Sequence, residues 1–228
     1  MIRVGGLAPF STTDFPGRLA AVVFVQGCPW RCRYCHNPHL QPRAARPGAI
    51  SWRTVLDFLE RRRGLLEAVV FSGGEPTVDA GLRAAIEDVR RLGFGVGLHT
   101  AGIHPRRLGL VLPLVDWVGF DLKGLYEDYA RITARVTSAR AACASLDLVI
   151  TSKVDHEVRT TWHPDLLPEA RLLELVAWLR ERGAAHFALQ EFRARGCEDP
   201  GLAPCAAGPQ LLRALEKSWP GFTLRRSQ

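Results

Sequence analysis

Three cysteines stand close together in the segment Cys28-Pro-Trp-Arg-Cys32-Arg-Tyr-Cys35. This C-x3-C-x2-C spacing places three thiolates within reach of one metal centre. Structural zinc usually takes four protein ligands, and neither of the nearby His36 and His39 stands at a convincing spacing to be the fourth. A cubane iron–sulfur cluster ordinarily uses four cysteines, so three leave one iron open to a substrate or cofactor. The triplet favours such a cluster, and a Cys/His zinc site is the alternative.

A second motif, Ser72-Gly73-Gly74-Glu75-Pro76, follows a run of apolar residues that reads as a strand. Two adjacent glycines let backbone polar groups approach a ligand, and the carboxylate beside them suits an ammonium group. The alternative is a Gly-Gly turn capped by an exposed glutamate. Both motifs on successive strands are much more specific than either motif alone.

These motifs need a scaffold, and six β-like runs alternate with helix-like segments along the chain. Strands alternating with helices predict an α/β fold in which a parallel sheet is covered by helices. Closure of that sheet gives a partial (β/α)6 barrel whose functional loops follow the strand C-termini. The predicted strands are Ala20–Val25, Ala68–Ser72, Gly95–Thr100, Asp116–Asp121, His156–Trp162 and His186–Phe192.

The helices are predicted from capping residues and apolar spacing. Ser51 is expected to cap a first helix, and Asp79 to open a second that runs to about Leu92. Residues 1–228 are predicted to form a single domain, with an N-terminal segment over 1–18 and a C-terminal loop and helix over 193–228. The further helices are predicted at Pro105–Leu112, Ser138–Ile150, Pro168–Arg182 and Pro209–Trp219.

Composition limits the class of protein. The chain has 30 Lys and Arg against 23 Asp and Glu, a formal charge of +7, which an arginine-rich composition explains better than nucleic-acid binding. No apolar run approaches the roughly 20 residues of a membrane span, and we expect a cytoplasmic protein. Of the six cysteines, three crowd together near one end, which fits metal binding in a reducing compartment better than a disulfide framework.

Together, the cysteine loop and the Gly-Gly-Glu motif resemble the radical S-adenosylmethionine superfamily. The resemblance implies that Cys28, Cys32 and Cys35 bind a site-differentiated [4Fe-4S] cluster whose open iron chelates the methionine moiety of S-adenosylmethionine. It further implies that Glu75, with Gly73 and Gly74, holds the methionine amino group. Tyr34 is then expected at the adenine, largely through its backbone.

Two further segments, Asp14-Phe-Pro-Gly17-Arg18 and Tyr34-Cys-His-Asn-Pro38, resemble the glycyl-radical-enzyme activases. The nearest type is the activating protein of anaerobic ribonucleoside-triphosphate reductase. This likeness implies reductive cleavage of S-adenosylmethionine and removal of a hydrogen atom from a glycine of the partner, here the reductase. It also implies a flavodoxin- or ferredoxin-type electron donor, and places Asp14 and Arg18 at the substrate opening.

The remaining candidate residues lie near the ends of predicted strands. Lys123 could neutralise the methionine carboxylate, whereas the alternative for each charged residue is a solvated side chain. Asp121 and Thr100 carry oxygens suited to a monovalent cation, although His99 stands where a relative can have an acidic residue. The other predicted cofactor-binding residues are Arg159, Arg193, His36 and Asn37, and His36 could equally hold the loop backbone.

Three cysteines fall outside the triplet. Cys143 lies on an apolar helical stretch and is expected in the core, while Cys197 and Cys205 are expected to be unligated thiols. Two other functions remain open from the sequence. One is a radical S-adenosylmethionine enzyme that acts on a small molecule, such as a deazapurine synthase, and the other is a zinc-stabilised module that binds nucleic acid.

Overall fold

The protein is described by a computed structural model that covers residues 1–44 and 49–226. Its strands form one sheet whose spatial order follows the order of the chain. The first strand is antiparallel to the second, and every later pair of neighbours is parallel. The strands are β1 (Val4–Ser11), β2 (Ala20–Val25), β3 (Ala68–Gly73), β4 (Gly95–Thr100), β5 (Trp117–Asp121), β6 (Asp155–Trp162), β7 (Phe187–Glu191) and β8 (Thr223–Arg225).

At least one helix follows every strand from β2 to β7, which confirms the predicted (β/α)6 arrangement. The parallel strands all end at the same edge of the sheet, so the loops after them converge there. Two helices, α4 and α5, connect β5 to β6. The helices are α1 (Trp52–Glu60), α2 (Leu82–Arg91), α3 (Pro105–Val111), α4 (Tyr129–Thr133), α5 (Ser138–Thr151), α6 (Glu169–Glu181) and α7 (Pro209–Ser218).

The two faces of the sheet are filled differently. The helix-covered face carries the main core, in which residues such as Val23, Phe71 and Leu98 are fully buried. The opposite face is lined by small and medium side chains and is covered by Phe15, whose ring lies 5.6 Å from that of Trp117. The segment before β2 therefore folds back over the inner face of the sheet.

Glycines at alternate positions of β4 and β5 make room on this inner face. A Cβ atom added at Gly97 would lie 3.0 Å from the Phe15 ring, and one at Gly119 would lie 2.7 Å from the guanidinium carbon of Arg159. Because side chains alternate across a strand, the glycines leave space on one face only. The glycines in these strands therefore leave space for two large side chains, Phe15 and Arg159.

Several boundaries differ from the prediction. β1 and β8 extend the sheet beyond the six predicted strands, and the Gly-Gly and Pro of β1 explain why its pattern was weak. The second helix begins at Leu82 rather than at Asp79, whose carboxylate instead accepts hydrogen bonds from Gly81 N and the Arg3 side chain. The short helix α4 was not predicted.

The predicted cap of α1 is present, since Ser51 Oγ accepts a hydrogen bond of 3.0 Å from Thr54 N. In the described part of the chain, no helix has the length and apolar character needed to cross a lipid bilayer.

Candidate active site

The loops after β2, β3, β4 and β5 surround one cavity at the C-terminal edge of the sheet. Its empty space of about 840 Å³, open mouth included, is in the range usual for cofactor sites. Thr161 and Gln190, from β6 and β7, complete the wall. The predicted residues that line it are Cys28, Cys32, Tyr34, Cys35, His36, Asn37, Gly73, Gly74, Glu75, Thr100, Asp121 and Lys123.

Backbone hydrogen bonds fix the cysteine loop. Cys28 N donates to Gln41 O at 3.0 Å, and Cys35 N donates to Cys32 O at 3.0 Å. All three cysteines are free thiols with part of their surface exposed. Gln41 is a site residue that the sequence did not reveal, because its backbone carbonyl rather than its side chain holds the loop.

The donor set fits a thiolate-bound cluster. Burial, followed by the nearby Glu75 charge, raises the pKa of the Cys28 thiol to about 12. Burial also raises the pKa of Cys32 to about 11, although the Lys123 cation opposes this. Thiols in this setting release their protons when positively charged iron binds.

The thiols line one end of the cavity without meeting at one point. Among residues 1–44 and 49–226, no three His, Cys, Asp or Glu side chains are grouped at the spacing of ligands to a single metal ion. A cubane presents a different iron atom to each cysteine, so it suits thiols spread around one end of a cavity.

Gly73 and Gly74 are required by close packing of protein against protein. A Cβ at Gly73 would lie 2.5 Å from Val25 N, and one at Gly74 would lie 2.5 Å from Gly27 O. Gly73 also has φ of +111°, which favours glycine. The two glycines therefore let the loop after β3 lie against the cysteine loop, a role that the sequence did not distinguish from contact with a ligand.

Glu75 is almost completely buried, with 1% of its surface exposed. Its Oε1 atom accepts hydrogen bonds from Thr77 N at 3.1 Å and from the hydroxyls of Thr77 and Thr100, each at 2.6 Å. Oε2 accepts only one, from Ala101 N at 2.8 Å. Burial raises the pKa of the carboxyl, and these hydrogen bonds only partly oppose it. Oε2 thus retains an acceptor position at the cavity, and no cation pairs with the carboxylate in the described residues.

Asp121 is surrounded by cations instead. Its Oδ1 lies 2.9 Å from the guanidinium of Arg159, and its Oδ2 lies 3.8 Å from Lys123 Nζ. Burial alone would raise the pKa of Asp121, but Arg159 and Lys123 outweigh it and the pKa falls. Burial disfavours the Lys123 cation, yet Asp121 and Cys32 raise the pKa of Lys123 overall. Lys123 therefore remains charged at the cavity wall.

The predicted monovalent cation would meet unfavourable surroundings here. Thr100 donates its hydroxyl to Glu75 and accepts a hydrogen bond of 3.0 Å from Gly102 N. The other predicted ligand, Asp121, already faces two cations. A further cation would be repelled by both of them, so this prediction gains no support.

Three predicted residues do not reach the cavity with their side chains. Arg159 is buried below it, bound to Asp121 and donating to Gly119 O at 3.3 Å. Arg193 has an exposed side chain and contributes only its carbonyl, which bonds to His36 Nε2 at 3.0 Å. Arg18 lies beside Gly95, the first residue of β4, at the end of the sheet opposite the cysteines.

Asp14 is connected to the cavity through His99. His99 Nε2 lies 2.8 Å from the Asp14 carbonyl and 3.2 Å from Arg159 Nη1, and Nδ1 lies 3.3 Å from Ser72 Oγ. In the tautomer that is protonated at Nε2, His99 donates to the Asp14 carbonyl. In the tautomer that is protonated at Nδ1, Nε2 instead accepts a hydrogen bond from Arg159 Nη1. Burial, followed by the Arg159 charge, lowers the pKa of His99 to about 3, so the ring is neutral.

Tyr34 and His36 sit on either side of Cys35. The Tyr34 ring is buried under Lys123, whose Nζ is 5.5 Å from the ring centre. Among the described residues, the Tyr34 hydroxyl has no hydrogen-bond partner. His36 stacks on Phe192, and burial lowers the pKa of His36 to about 4. His36 is therefore a neutral ring that lines the cavity and bonds through Nε2 to the Arg193 carbonyl in the loop after β7.

The other cysteines are free thiols. Cys143, expected in the core, is only partly buried on α5. Cys197 Sγ donates to the carbonyl of Arg33, within the cysteine loop, at 3.3 Å, and Cys205 packs near Trp162. Within the described residues neither forms a disulfide.

Comparison with known proteins adds family relationships to this geometry. The family model described as the Radical SAM superfamily matches residues 22–175, a span that contains the cysteine loop and the Gly-Gly-Glu motif. A provisionally named glycyl-radical enzyme activating enzyme of Methanocaldococcus jannaschii is 28% identical over 207 residues, covering 86% of this chain and 82% of that protein.

Two other relatives are matched over shorter stretches. The pyruvate formate-lyase-activating enzyme of Streptococcus mutans is 30% identical over 156 residues, which cover 62% of this chain and 58% of that protein. The 7-carboxy-7-deazaguanine synthase of Thermococcus kodakarensis is 26% identical over 180 residues, covering 66% and 71% of the two chains.

Solved structures share the fold at low sequence identity. Streptococcus suis SuiB bound to S-adenosylmethionine has a TM-score of 0.66 and 13% identity, over 89% of this chain and 48% of that one. QueE from Escherichia coli has a TM-score of 0.62 and 17% identity, over 100% of this chain and 94% of that one.

Proposed function

This chain belongs to the radical SAM superfamily, and on that basis we propose that it is the activating enzyme of a glycyl-radical enzyme. Its target is a backbone glycine of that partner. The Asp14 to Arg18 segment and the Tyr34 to Pro38 segment make anaerobic ribonucleoside-triphosphate reductase the first partner to test. We also propose that residues 1–228 act as one domain, because a single sheet runs from β1 to β8.

One observation carries the proposal: the three thiols, Glu75 and Lys123 line the same cavity although they follow three different strands. This arrangement offers ligands for a cluster and complementary charges for an amino acid. The likeness to the M. jannaschii protein, over most of both chains, supports activation of a glycyl-radical enzyme over other radical chemistry.

The donor set suits the two cofactors of the family. Cys28, Cys32 and Cys35 would hold the [4Fe-4S] cluster, and the free acceptor position of Glu75 Oε2 would take the ammonium of S-adenosylmethionine. Lys123 would face its carboxylate. When bound, these groups supply a one-electron reductive cleavage that gives methionine and a 5′-deoxyadenosyl radical.

The residues of the chain itself position and enclose these groups. Gly73 and Gly74 let the Glu75 loop lie directly against the cysteine loop. The neutral His36, stacked on Phe192, and the buried Tyr34 ring pack next to Cys35 along the loop and help to fix its position. A target glycine suits such an enclosed site because its Cα carries no side chain.

The test is formation of a glycyl radical. Anaerobic protein with a reconstituted cluster would be mixed with S-adenosylmethionine, reduced flavodoxin and the reductase, and the radical detected by electron paramagnetic resonance. We expect a doublet that is lost with Cys32→Ala and kept with Cys143→Ala, a cysteine outside the cavity. Cleavage of S-adenosylmethionine without a radical on any candidate partner would reject the activase assignment but keep the radical chemistry.

A second candidate is a small-molecule enzyme of the deazapurine synthase type. The 7-carboxy-7-deazaguanine synthase of T. kodakarensis is matched over about two thirds of both chains. Production of 7-carboxy-7-deazaguanine by the reconstituted protein would establish this alternative in place of glycine activation.

A further inference from the structure

His99 lies where four segments of the chain meet at the cavity. Its ring lines the cavity, although only 8% of the residue is exposed. Nδ1 lies 3.3 Å from Ser72 Oγ on β3, and the ring packs edge-on against Trp117 on β5 with the ring centres 5.5 Å apart. Nε2 lies 2.8 Å from the Asp14 carbonyl and 3.2 Å from Arg159 Nη1 on β6. A single ring thus connects the segment before β2 to three strands besides its own.

The two contacts at Nε2 require opposite things of the ring. The Asp14 carbonyl accepts and needs a proton on Nε2, whereas the Arg159 guanidinium donates and needs a lone pair there. Burial, followed by the Arg159 charge, keeps the ring neutral by lowering its pKa to about 3, so only one of the two groups can be satisfied at a time. The Ser72 hydroxyl can donate or accept, and it therefore suits Nδ1 in either tautomer. The tautomers differ mainly in whether His99 holds Asp14.

Asp121 links this choice to the other side of the cavity. Arg159 Nε donates to Asp121 Oδ1 at 3.0 Å while Arg159 Nη1 faces His99, so one guanidinium serves both groups. Asp121 Oδ2 lies 3.8 Å from Lys123 Nζ. A ligand carboxylate at Lys123 would share the Lys123 charge, and Asp121 would then depend more strongly on Arg159. A guanidinium drawn toward Asp121 is drawn away from His99, which favours the tautomer that donates to Asp14.

The segment over residues 11–18 can respond to this change because it is held at two points. Phe15 is buried on the inner face of the sheet, and Asp14 is half-buried beside His99, whereas the other residues after Ser11 are exposed. Within the segment, Asp14 N donates to Ser11 Oγ at 3.2 Å, and the Ser11 hydroxyl donates to Asp14 Oδ2 at 2.5 Å. Asp14 is thus fixed to its own turn, and a hydrogen bond to its carbonyl adds to the packing of Phe15 in holding the whole segment.

We propose that His99 is a positioning residue whose tautomer couples the carboxylate end of the ligand to the 11–18 segment. This inference rests on the proposed function, in which S-adenosylmethionine places its carboxylate at Lys123. With the ligand bound, the ring proton resides on Nε2 and fixes the Asp14 carbonyl. Without the ligand, the Nδ1-protonated form is also populated, and the segment is held less firmly. The ring stays neutral throughout, because one nitrogen gains the proton that the other loses.

The coupling would order two binding steps. A partner protein that contacts the 11–18 segment would meet a fixed surface only after S-adenosylmethionine has bound. The ligand shifts the equilibrium because its carboxylate interacts differently with the two states of the network, which is the condition for any population shift.

The first experiment measures how firmly the segment is held. Hydrogen exchange of the amides of residues 12–18 would be followed by mass spectrometry in cluster-loaded protein without ligand, with S-adenosylmethionine, and with decarboxylated S-adenosylmethionine, which lacks the carboxylate. For wild type we expect S-adenosylmethionine to slow exchange by roughly two- to tenfold, the range that one neutral hydrogen bond supplies. The decarboxylated ligand should leave exchange nearly unchanged. Equal slowing by the two ligands would overturn the coupling.

Two substitutions separate the ring nitrogens of His99. His99→Asn keeps a polar group near the position of Nδ1 but none near Nε2, so exchange without ligand should be faster than in wild type and should no longer respond to S-adenosylmethionine. His99→Gln places an amide near Nε2 and should recover much of the protection. His156→Asn is the matched control, because His156 is also 8% exposed and its Nδ1 bonds to Val154 O, away from the segment. Wild-type exchange in both His99 variants would overturn the proposal.

A spectroscopic measurement reports the tautomer in the wild-type protein itself. Nitrogen NMR of protein that carries isotopically labelled histidine distinguishes the protonated ring nitrogen from the bare one. The His99 signals, identified by their loss in His99→Gln, should move toward the Nε2-protonated pattern when S-adenosylmethionine is added. The same tautomer with and without the ligand would contradict the proposal, whereas a merely structural histidine predicts no such change.

Failure of the proposed function would look different. If calorimetry shows that S-adenosylmethionine does not bind, the cofactor assignment fails and the carboxylate coupling fails with it. The ligand-free exchange of wild type, His99→Asn and His156→Asn would still establish or reject the link between His99 and Asp14. If S-adenosylmethionine binds and the His99 variants exchange like wild type, the proposed function stands and the role of His99 is wrong.

Discussion

Glu75 and Asp121 are both carboxylates that line the same cavity, yet their surroundings are opposite. Glu75 is held by four hydrogen bonds from neutral donors, and burial raises its pKa. Asp121 is held by the cations Arg159 and Lys123, and its pKa falls. The Glu75 side of the cavity therefore favours an incoming positive charge, whereas the Asp121 side has a surplus of positive charge.

This difference matches the two charged groups of an amino acid. An ammonium would compensate the buried Glu75, and a carboxylate would compensate Lys123. Arg159 acts below the cavity, where it balances Asp121 and leaves Lys123 available at the wall. The proposed binding site for the methionine moiety therefore has a negative end at Glu75 and a positive end at Lys123.

The largest effect is expected from Arg159→Met, which leaves the partly exposed Asp121 without its closest cation. Removing one member of a fully buried ion pair costs about 3–5 kcal/mol of unfolding free energy, and because solvent reaches Asp121 we expect about 3 kcal/mol here. Urea unfolding would measure the loss. Arg83→Met, which breaks the exposed pair with Glu87, is the control and should cost less than about 1 kcal/mol. Similar losses for both variants would show that Asp121 does not depend on Arg159.

Glu75→Gln tests the other side of the cavity. The amide cannot accept every hydrogen bond that the carboxylate accepts, and it carries no charge for an ammonium. A charged hydrogen bond is worth about 1.5–3 kcal/mol, so affinity for S-adenosylmethionine should fall roughly tenfold to a hundredfold. Calorimetry on the cluster-loaded protein would measure this, with the surface change Glu87→Gln as control. An unchanged affinity would remove Glu75 from the site.

Lys123→Met sharpens the comparison between the two sides. We expect affinity for S-adenosylmethionine to fall about tenfold, while affinity for decarboxylated S-adenosylmethionine, which lacks the partner carboxylate, stays nearly constant. Glu75→Gln should weaken the binding of both ligands, because both carry the amino group that Glu75 is proposed to hold. If Lys123→Met lowered the affinity for both ligands equally, the placement of the carboxylate at Lys123 would be wrong.

The smallest effect concerns pH, and the two carboxylates should act with opposite sign. Asp121 has a lowered pKa, so its contribution to stability is present above its unfolded value of 3.8 and is lost as pH falls below it. Glu75 has a raised pKa, so its contribution is complete below 4.5 and decreases as pH rises through its folded value. Each slope is at most about 1.4 kcal/mol per pH unit.

Urea unfolding of wild type, Asp121→Asn and Glu75→Gln between about pH 3 and 7, at constant salt, would separate these slopes, because this range contains the unfolded pKa values of 3.8 and 4.5. Acidification should reduce the stability of wild type relative to Asp121→Asn and increase it relative to Glu75→Gln. Slopes of the same sign for both residues would show that their surroundings are alike.

Much of this arrangement could be predicted from the sequence because the motifs are local. The cysteine loop and Gly-Gly-Glu each follow an apolar strand, and parallel strands must bring such loops to one edge. The position of each residue along its strand, relative to the residues of the neighbouring strand, was harder to predict. Arg159 and Thr161 face the same side of β6, and only the register with β5 shows that Arg159 sits lower, beside Asp121.

The sequence was least informative about segments that fold back. Nothing in residues 11–18 indicates that Asp14 meets His99 while Arg18 stays at the far end of the sheet. The packing role of Gly73 and Gly74 depends on Val25 and Gly27, which are distant in sequence. Such contacts arise from tertiary packing and leave no periodic signal.

The most direct test of the whole account is the anaerobic production of 5′-deoxyadenosine. Protein reconstituted with iron and sulfide would be given dithionite and S-adenosylmethionine, with Cys32→Ala as the cluster-deficient control and Cys197→Ala as a control that touches the same loop. The account predicts a brown protein whose product is lost in Cys32→Ala and retained in Cys197→Ala. A colourless zinc protein that forms no product would contradict it.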